Sequence, residues 1–326
     1  MKMLHITQPD KQGFTLVEMA IVLIIVGLVL GVIVIGQDMI AAASIRAAVS
    51  QINKYQAAVS AFSAKYQAMP GDMPAKIANR YGFVARGTHE GQGDGNGVIE
   101  CWNGTAASGI CQGDGETATF WVDLSQAGMV EGGFSNANSE TSPIGAGGYN
   151  IPHSSPLVKI SDVLPPSAIG NGNYVYIYSA NGVNYFGISY IVGIQTADLQ
   201  EILSTPGMTV AQAFNLDTKI DDGLPQSGTV TATYTNSSGI QWSAGGGVTA
   251  SNTPFKPTLH DVFGISDAMA SGGGGAAPFG TPNTAATPGT STTCYDNGNV
   301  NGAVQKYTMG NNAARNVNCA VSIGVQ

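Results

Sequence analysis

The chain of 326 residues is weakly charged and rich in turn-forming residues. Only 10% of its residues are charged, against about 25% in an average soluble domain, and it contains 44 Gly and 15 Pro. Its formal net charge of -8 has the wrong sign for a surface that neutralises phosphates, which excludes bulk nucleic-acid binding.

An uncharged apolar segment lies close to the N-terminus. Residues 19–36 carry no charge, and together with residues 14–18 they form a helical stretch long enough to span a bilayer core of about 30 Å. Lys2 and Lys11 precede this stretch, so the positive-inside rule places the N-terminus in the cytoplasm and the chain after residue 36 outside. An ordinary secretory signal is disfavoured because the apolar stretch is too long.

Glu18 lies inside this apolar segment, where a carboxylate without a partner costs several kcal/mol. The surrounding residues GFTLVEMAIVLIIVGLVLG, from Gly13 to Gly31, resemble the N-terminus of type IV prepilins and type II secretion pseudopilins. The resemblance implies cleavage between Gly13 and Phe14 by a prepilin peptidase, followed by N-methylation of Phe14. In a filament of packed helices, Glu18 of one subunit would neutralise the new α-amino group of its neighbour.

Three further segments resemble a subgroup of large prepilin-like proteins. They are GQDMI at residues 36–40, PGD at residues 70–72 and FNLDTKIDDGLPQSGTV at residues 214–230. Many pilins carry a helix-kinking Pro near the position where this chain has Ile35, which leaves the curvature of the helix open.

The helix is expected to continue beyond the apolar segment. Apolar residues recur at steps of three, four or seven along one helical face: Ile45, Val49, Ile52, Val59, Phe62 and Tyr66. Pro70 stops the pattern. We therefore expect an amphipathic helix whose apolar stripe packs on a globular sheet.

The rest of the chain predicts a β-rich head with long Gly-rich loops. We expect a short packed helix at 117–129, a hairpin at 174–194 turning at Asn181-Gly182, short helices at 196–204 and 209–214, and strands at 230–234 and 240–242. Residues 271–293 carry no charge and almost no large apolar side chain, which predicts a flexible loop. The predicted fold class is α+β, with the long N-terminal helix packed on an antiparallel β-sheet.

The predicted organisation has four parts. Residues 1–13 are a cleaved leader, 14–36 a transmembrane or filament-core helix, 37–69 the amphipathic extension of that helix, and 70–326 an extracytoplasmic globular head.

Four cysteines without C-x-x-C spacing indicate disulfides and therefore an oxidising compartment. Three pairings exist, and the spacing favours Cys101 with Cys111 and Cys294 with Cys319. Pilins commonly close a C-terminal loop by a disulfide, so the resemblance points to the second pair as well. The alternating run that follows Cys319 is expected to add a strand to the sheet.

A candidate calcium loop lies at residues 91–100, GQGDGNGVIE. Asp94 and Asn96 fall at the third and fifth positions of a calcium loop, and Glu100 is a candidate for an extra ligand. Gln92 stands where the first carboxylate belongs, and Asn103 where a bidentate Glu belongs, so a tight turn is the alternative interpretation. Calcium is the one cofactor that the sequence indicates.

The sequence contains no recognisable catalytic motif. None of the four His lies in an H-E-x-x-H motif, and neither G-x-S-x-G nor a P-loop occurs. Asp217, Asp221 and Asp222 are typical of turn chemistry. We therefore expect a protein that is not an enzyme.

The expected function is structural: a minor, tip or adhesive subunit of a type IV pilus or pseudopilus, assembled through its N-terminal helix. Its expected partners are the prepilin peptidase/N-methyltransferase and other pilin or pseudopilin subunits. Its expected location is the bacterial inner membrane before assembly, and afterwards a filament in the periplasm or on the cell surface. The alternative is a bitopic membrane protein whose periplasmic domain binds a ligand and never polymerises.

Overall fold

The computed structural model describes residues 15–86, 91–100, 115–134, 160–194, 202–236, 239–246, 288–300, 303–310 and 314–325. The chain divides into two units, Met1–Ala43 and Ser44–Gln326. Its described helices and strands follow one another in this order: α1 (Leu16–Tyr66), α2 (Ala75–Tyr81), α3 (Gly115–Gln126), β1 (Asn173–Ala180), β2 (Val183–Ile194), β3 (Ile202–Thr205), β4 (Met208–Thr209), α4 (Val210–Ile220), β5 (Val230–Thr231), β6 (Thr233–Asn236), β7 (Gly239–Trp242), β8 (Gly245–Gly246), β9 (Tyr295–Asp296), β10 (Lys306–Tyr307), β11 (Val317–Cys319) and β12 (Val321–Gly324).

The first unit contains the apolar part of α1. Every side chain from Leu16 to Ile33 is exposed, and the mean hydropathy of this 18-residue window is 3.0. By length and composition the segment can cross a membrane. A helix that is apolar on all sides is stable only among lipid tails or other helices.

In the second unit, α1 buries the face that the sequence predicts. Ile45, Ile52, Val59, Phe62 and Tyr66 are buried, and Val49 is half-buried. The stripe packs on the sheet, where the ring of Tyr55 lies 6.1 Å from that of Phe186 in β2. The helix ends where Gln67 adopts a left-handed φ of 57°, shortly before Pro70.

The predicted hairpin is confirmed. Strands β1 and β2 pair over their whole common length and are joined by Asn181 and Gly182 alone. Both linking residues have positive φ, 51° and 72°, which is the type I′ geometry that Asn-Gly favours.

The main sheet has five strands among the described residues, and every pairing in it is antiparallel. Its order is β1-β2-β12-β5, and β3 pairs with the far end of β2. The strand predicted after Cys319 is therefore confirmed as β12, which lies between β2 and β5. With the N-terminal helix, this sheet confirms the α+β class.

The predicted helix at 196–204 is wrong over its described part, because residues 202–204 belong to β3. Ile202 and Ser204 are buried while the residues after them are more exposed, a period of two that suits pairing with β2. The predicted strand at 230–234 is split at Ala232 into β5 and β6, and β6 pairs with β7 instead of the main sheet.

Helix α3 confirms the helix predicted at 117–129, although it begins two residues earlier and ends at Gln126. Its aromatic residues fill the core between α1 and the sheet: Trp121 lies 4.9 Å from Tyr55, and Phe120 lies 6.0 Å from Phe186, between ring centroids. Helix α2 was not predicted, although Pro74 before it and Gly82 after it, with φ of 74°, are typical helix boundaries.

The C-terminal disulfide is confirmed. Cys294 and Cys319 are bonded with 5.2 Å between their Cα atoms, and the bridge joins the residue before β9 to the end of β11. Cys101 and Cys111 lie outside the described residues, so their pairing stays a prediction.

Candidate functional site

Thr15 and Glu18 cap the N-terminal end of α1 through hydrogen bonds in both directions. The backbone N–H and the hydroxyl of Thr15 both donate to Glu18 Oε2 at 2.8 Å, and the Glu18 N–H donates back to Thr15 Oγ1 at 3.3 Å. This is a capping box, which satisfies backbone donors that the first turn of a helix leaves unpaired. Gly13 and Phe14, the predicted cleavage point, lie outside the described residues.

The cap gives Glu18 a role that sequence reasoning missed. The T-x-x-E spacing of Thr15 and Glu18 is the signal that could have found it. A carboxylate in an apolar helix needs hydrogen-bond donors, and Thr15 supplies two within the same chain.

Residues 9–34 match the family profile described as the prokaryotic N-terminal methylation motif. The chain carries a prepilin-type methylation motif. The motif indicates a type IV pilin-like protein that is processed as a prepilin. It implies processing by a prepilin peptidase, assembly with pilin subunits and anchoring in the inner membrane before assembly. No curated protein and no solved structure matches the chain.

The second unit contains a cluster of three carboxylates. Asp72, Asp94 and Glu116 each place an oxygen within 4.8 Å of the others. Asp72 and Glu116 are buried, with 1% and 0% of their surface exposed, whereas Asp94 is exposed. Two buried carboxyl groups side by side are unusual, because burial and mutual repulsion both disfavour their charged forms.

The loop of residues 91–100 wraps around the two buried carboxyl groups. Gly95 N and Gly97 N donate to the two oxygens of Asp72 at 2.5 and 2.6 Å. Gly93 N and Glu100 N donate to the two oxygens of Glu116 at 2.8 and 2.9 Å. The loop is therefore folded around these two acids.

Gly71 brings the segment between α1 and α2 against the start of α3, and this places Asp72 beside Glu116. Its φ is 86°, and a Cβ at this position would lie 2.4 Å from the carbonyl oxygen of Glu116. Its N–H donates to Asp123 Oδ2 at 2.7 Å. Only glycine fits this conformation and this approach.

The three residues predicted for calcium do lie together. Asn96 Nδ2 donates to Asp94 Oδ2 at 3.1 Å and to Glu100 Oε2 at 3.2 Å. The tight turn is also present, because Asn96 N donates to Asp94 Oδ1 at 2.9 Å. Sequence reasoning missed Asp72 and Glu116, which the fold brings to the loop from two other elements.

Burial raises the pKa of Asp72 to about 6, and the neighbouring Asp94 adds to this, while the loop amides oppose it. Burial, and then the charge of Asp72, raise the pKa of Glu116 well above its usual value. The nearby Arg86 does not neutralise the cluster, since its guanidinium pairs with Asp123. The three carboxylates can therefore either retain protons or hold a cation whose preferred ligands are oxygens.

A second acidic group lies at the end of α4 and in the turn that follows it. Asp217, Asp221 and Asp222 each place an oxygen within 4.8 Å of the others. The backbone N–H of Leu224 and the hydroxyl of Ser227 both donate to Asp222, which is the turn chemistry predicted from the sequence, although the turn follows a helix and not a strand.

Proposed function

We propose that this protein is a minor, tip or adhesive subunit of a type IV pilus or pseudopilus. The observation that carries the proposal is the methylation motif on a helix whose apolar surface is exposed on every side. Such a surface requires lipid before assembly and neighbouring helices afterwards. Residues 1–13 would be the leader, 14–36 the filament-core segment, 37–69 its amphipathic extension and 70–326 the extracytoplasmic head.

The size and the loops of the head favour a minor or tip position over a major one. Major subunits repeat many times along a filament, so a long loop such as the one that the sequence predicts at residues 271–293, most of which lies outside the described residues, would have to be packed at every repeat. The rival, a bitopic protein that never polymerises, accounts for Glu18 through the capping box, but it gives no reason for the methylation motif at residues 9–34.

Glu18 has two roles under this proposal, and one substitution separates them. Gln at position 18 keeps an oxygen that can accept from Thr15, so the capping box survives, but it removes the charge that would pair with the α-amino group of a neighbouring Phe14. We expect Glu18→Gln to be inserted and processed normally and to be lost from filaments.

The experiment measures processing and assembly separately. Mass spectrometry of the N-terminal peptide of membrane-extracted protein should show methylated Phe14 in wild type and in Glu18→Gln, and an uncleaved chain in Gly13→Leu. Immunoblots of sheared filaments should detect the wild-type protein and neither Glu18→Gln nor Gly13→Leu. An N-terminus at Met1 in wild type would refute the processing, and normal incorporation of Glu18→Gln would refute the charge pair.

We also propose that the acidic cluster holds Ca²⁺ through Asp72, Asp94 and Glu116, with Asn96 and Glu100 beside Asp94. The observation that favours it is the convergence of three carboxylates, two of them buried, on one loop. An ion bound to the native state alone raises the melting temperature. The melting temperature of the full chain in detergent should rise in excess Ca²⁺ more than in Mg²⁺, and Asp94→Asn should reduce the rise.

Asp222→Asn is the matched control for calcium, because it makes the same change in the other acidic group. Both aspartates are exposed, so neither substitution should unfold the head. Calcium binding at this cluster would be refuted by a melting temperature that calcium does not change. It would also be refuted if Asp222→Asn reduced the calcium-dependent rise as much as Asp94→Asn.

A further inference from the structure

Asp217 is a buried carboxyl group that joins three elements. It lies near the end of α4 with none of its surface exposed. Tyr307 in β10 donates its hydroxyl to Asp217 Oδ2 at 2.9 Å, and the N–H of Gly223 donates to Asp217 Oδ1 at 3.0 Å. The carboxyl group therefore links the helix, the turn after it and a strand from the C-terminal part of the chain.

The segment that Tyr307 anchors also carries the disulfide. Strand β10 pairs with β9, the Thr308 N–H donates to the Cys294 carbonyl at 3.0 Å, and the Thr308 hydroxyl donates to the Thr293 carbonyl at 2.8 Å. The bridge from Cys294 to Cys319 fixes one end of this segment, and Tyr307 attaches the other end to α4.

In the part of the chain that the structure describes, the surroundings of Asp217 contain other acids and no cation that pairs with it. Asp221 and Asp222 face it from the turn, and Tyr307 faces it from β10. Strands β4, β5 and β11, which pack against α4, carry no ionisable side chain apart from the disulfide-bonded Cys319. Among the described residues Asp217 makes no ion pair, and Lys219 on its own helix is exposed.

We propose that Asp217 and Tyr307 form a proton-dependent latch, which holds the disulfide-bearing segment tightly to α4 in acid and loosens as the pH approaches neutrality. The contact suits both protonation states. An ionised carboxylate accepts from the tyrosine hydroxyl, whereas a neutral carboxyl group can donate to the same oxygen.

The direction follows from the burial. Burial raises the pKa of Asp217 from 3.8 to about 7, Asp222 and Asp221 add to it, and the bonds from Tyr307 and Gly223 oppose it. Burial and the charge of Asp217 also raise the pKa of Tyr307, so the phenol stays protonated. The closed latch thus holds a proton that the opened latch releases. Between about pH 4 and pH 7, each unit of rising pH lowers the ratio of closed to open by up to about tenfold.

Hydrogen exchange on the full chain in detergent measures this opening. The readout is the protection of the Thr308 amide, which donates to Cys294 across β9 and β10, from pH 5 to pH 7.5 after correction for the intrinsic exchange rate. We expect protection in wild type to fall by up to about tenfold per unit as the pH rises. Asp217→Asn, which imitates the neutral carboxyl group, should show nearly constant protection.

Asp162→Asn is the matched control, since it neutralises an exposed aspartate on another element and should behave as wild type. Tyr307→Phe gives an independent test if Asp217→Asn does not fold. It removes the hydrogen bond that stabilises the ionised carboxylate, so the pKa of Asp217 should rise. Protection should then continue to fall up to a higher pH. Protection that is independent of pH in wild type, or that falls equally in wild type and Asp217→Asn, would overturn the latch.

Discussion

The ion pair of Arg86 and Asp123 stabilises the loop of residues 91–100 and the acidic cluster that this loop surrounds. Arg86 Nη2 donates to both oxygens of Asp123 at 2.6 and 2.5 Å, and neither side chain is exposed. Arg86 Nη1 donates to the Val84 carbonyl at 2.7 Å, and Gly71 N donates to Asp123 Oδ2 at 2.7 Å. Asp123→Asn keeps the shape and an acceptor for Gly71 but leaves the guanidinium charge buried without a counterion.

The expected cost of Asp123→Asn is about 3–5 kcal/mol of unfolding free energy, the usual result of breaking a buried pair by removing one partner. This is a large part of the roughly 5–15 kcal/mol by which a native domain is stable. The double variant Arg86→Met/Asp123→Asn should be more stable than Asp123→Asn alone, because it also removes the unpaired charge.

Urea unfolding of the full chain in a nonionic detergent measures these differences. Tryptophan fluorescence reports on the head, where Trp121 and Trp242 are buried with 0% and 2% of their surface exposed. Asp162→Asn provides the control for removing one negative charge from the surface. A loss below about 1 kcal/mol for Asp123→Asn, or a double variant no more stable than the single one, would show that the pair is not a buried, interdependent unit.

Three further substitutions test the described fold by the same unfolding measurement. Replacing both Cys294 and Cys319 by Ala should cost about 3.5 kcal/mol, the loop-closure value for a sequence separation of 25 residues, and an unchanged midpoint under both oxidising and reducing conditions would contradict it. Gly71→Ala should cost clearly more than Gly182→Ala, since both positions have positive φ but only Gly71 faces backbone atoms; equal losses would contradict the close approach to α3. Thr209→Ala should cost about 1 kcal/mol by removing the capping box of α4, and no loss would show that the cap is not used.

The elements that follow from local pattern were predictable from the sequence. The apolar stripe of α1 has a helical period, and Asn181-Gly182 dictates a two-residue turn, so both appear in the structure where they were expected. Strand β3 was mistaken for a helix because its state is decided by pairing with β2, a tertiary contact that no local pattern contains.

The acidic cluster was predictable only in part, for the same reason. Asp94, Asn96 and Glu100 share one short loop, so their spacing could indicate a calcium ligand set. Asp72 lies between α1 and α2 and Glu116 at the start of α3, and both reach the loop because Gly71 permits a close approach of its segment to α3. The hydrogen bond between Tyr307 and Asp217 could not be predicted either, since the two residues lie far apart in the chain.

The position of β12 between β2 and β5 has a consequence for how the sheet of the head is completed during folding. An interior strand that comes so late in the chain leaves β2 with an unpaired edge until the whole intervening stretch has been synthesised. The entropy of closing that stretch grows only by about 0.6 kcal/mol for each doubling of its length. We therefore expect insertions in the connecting segments between β2 and β12 to cost little stability, so that the surface of the head could change while the sheet stays the same.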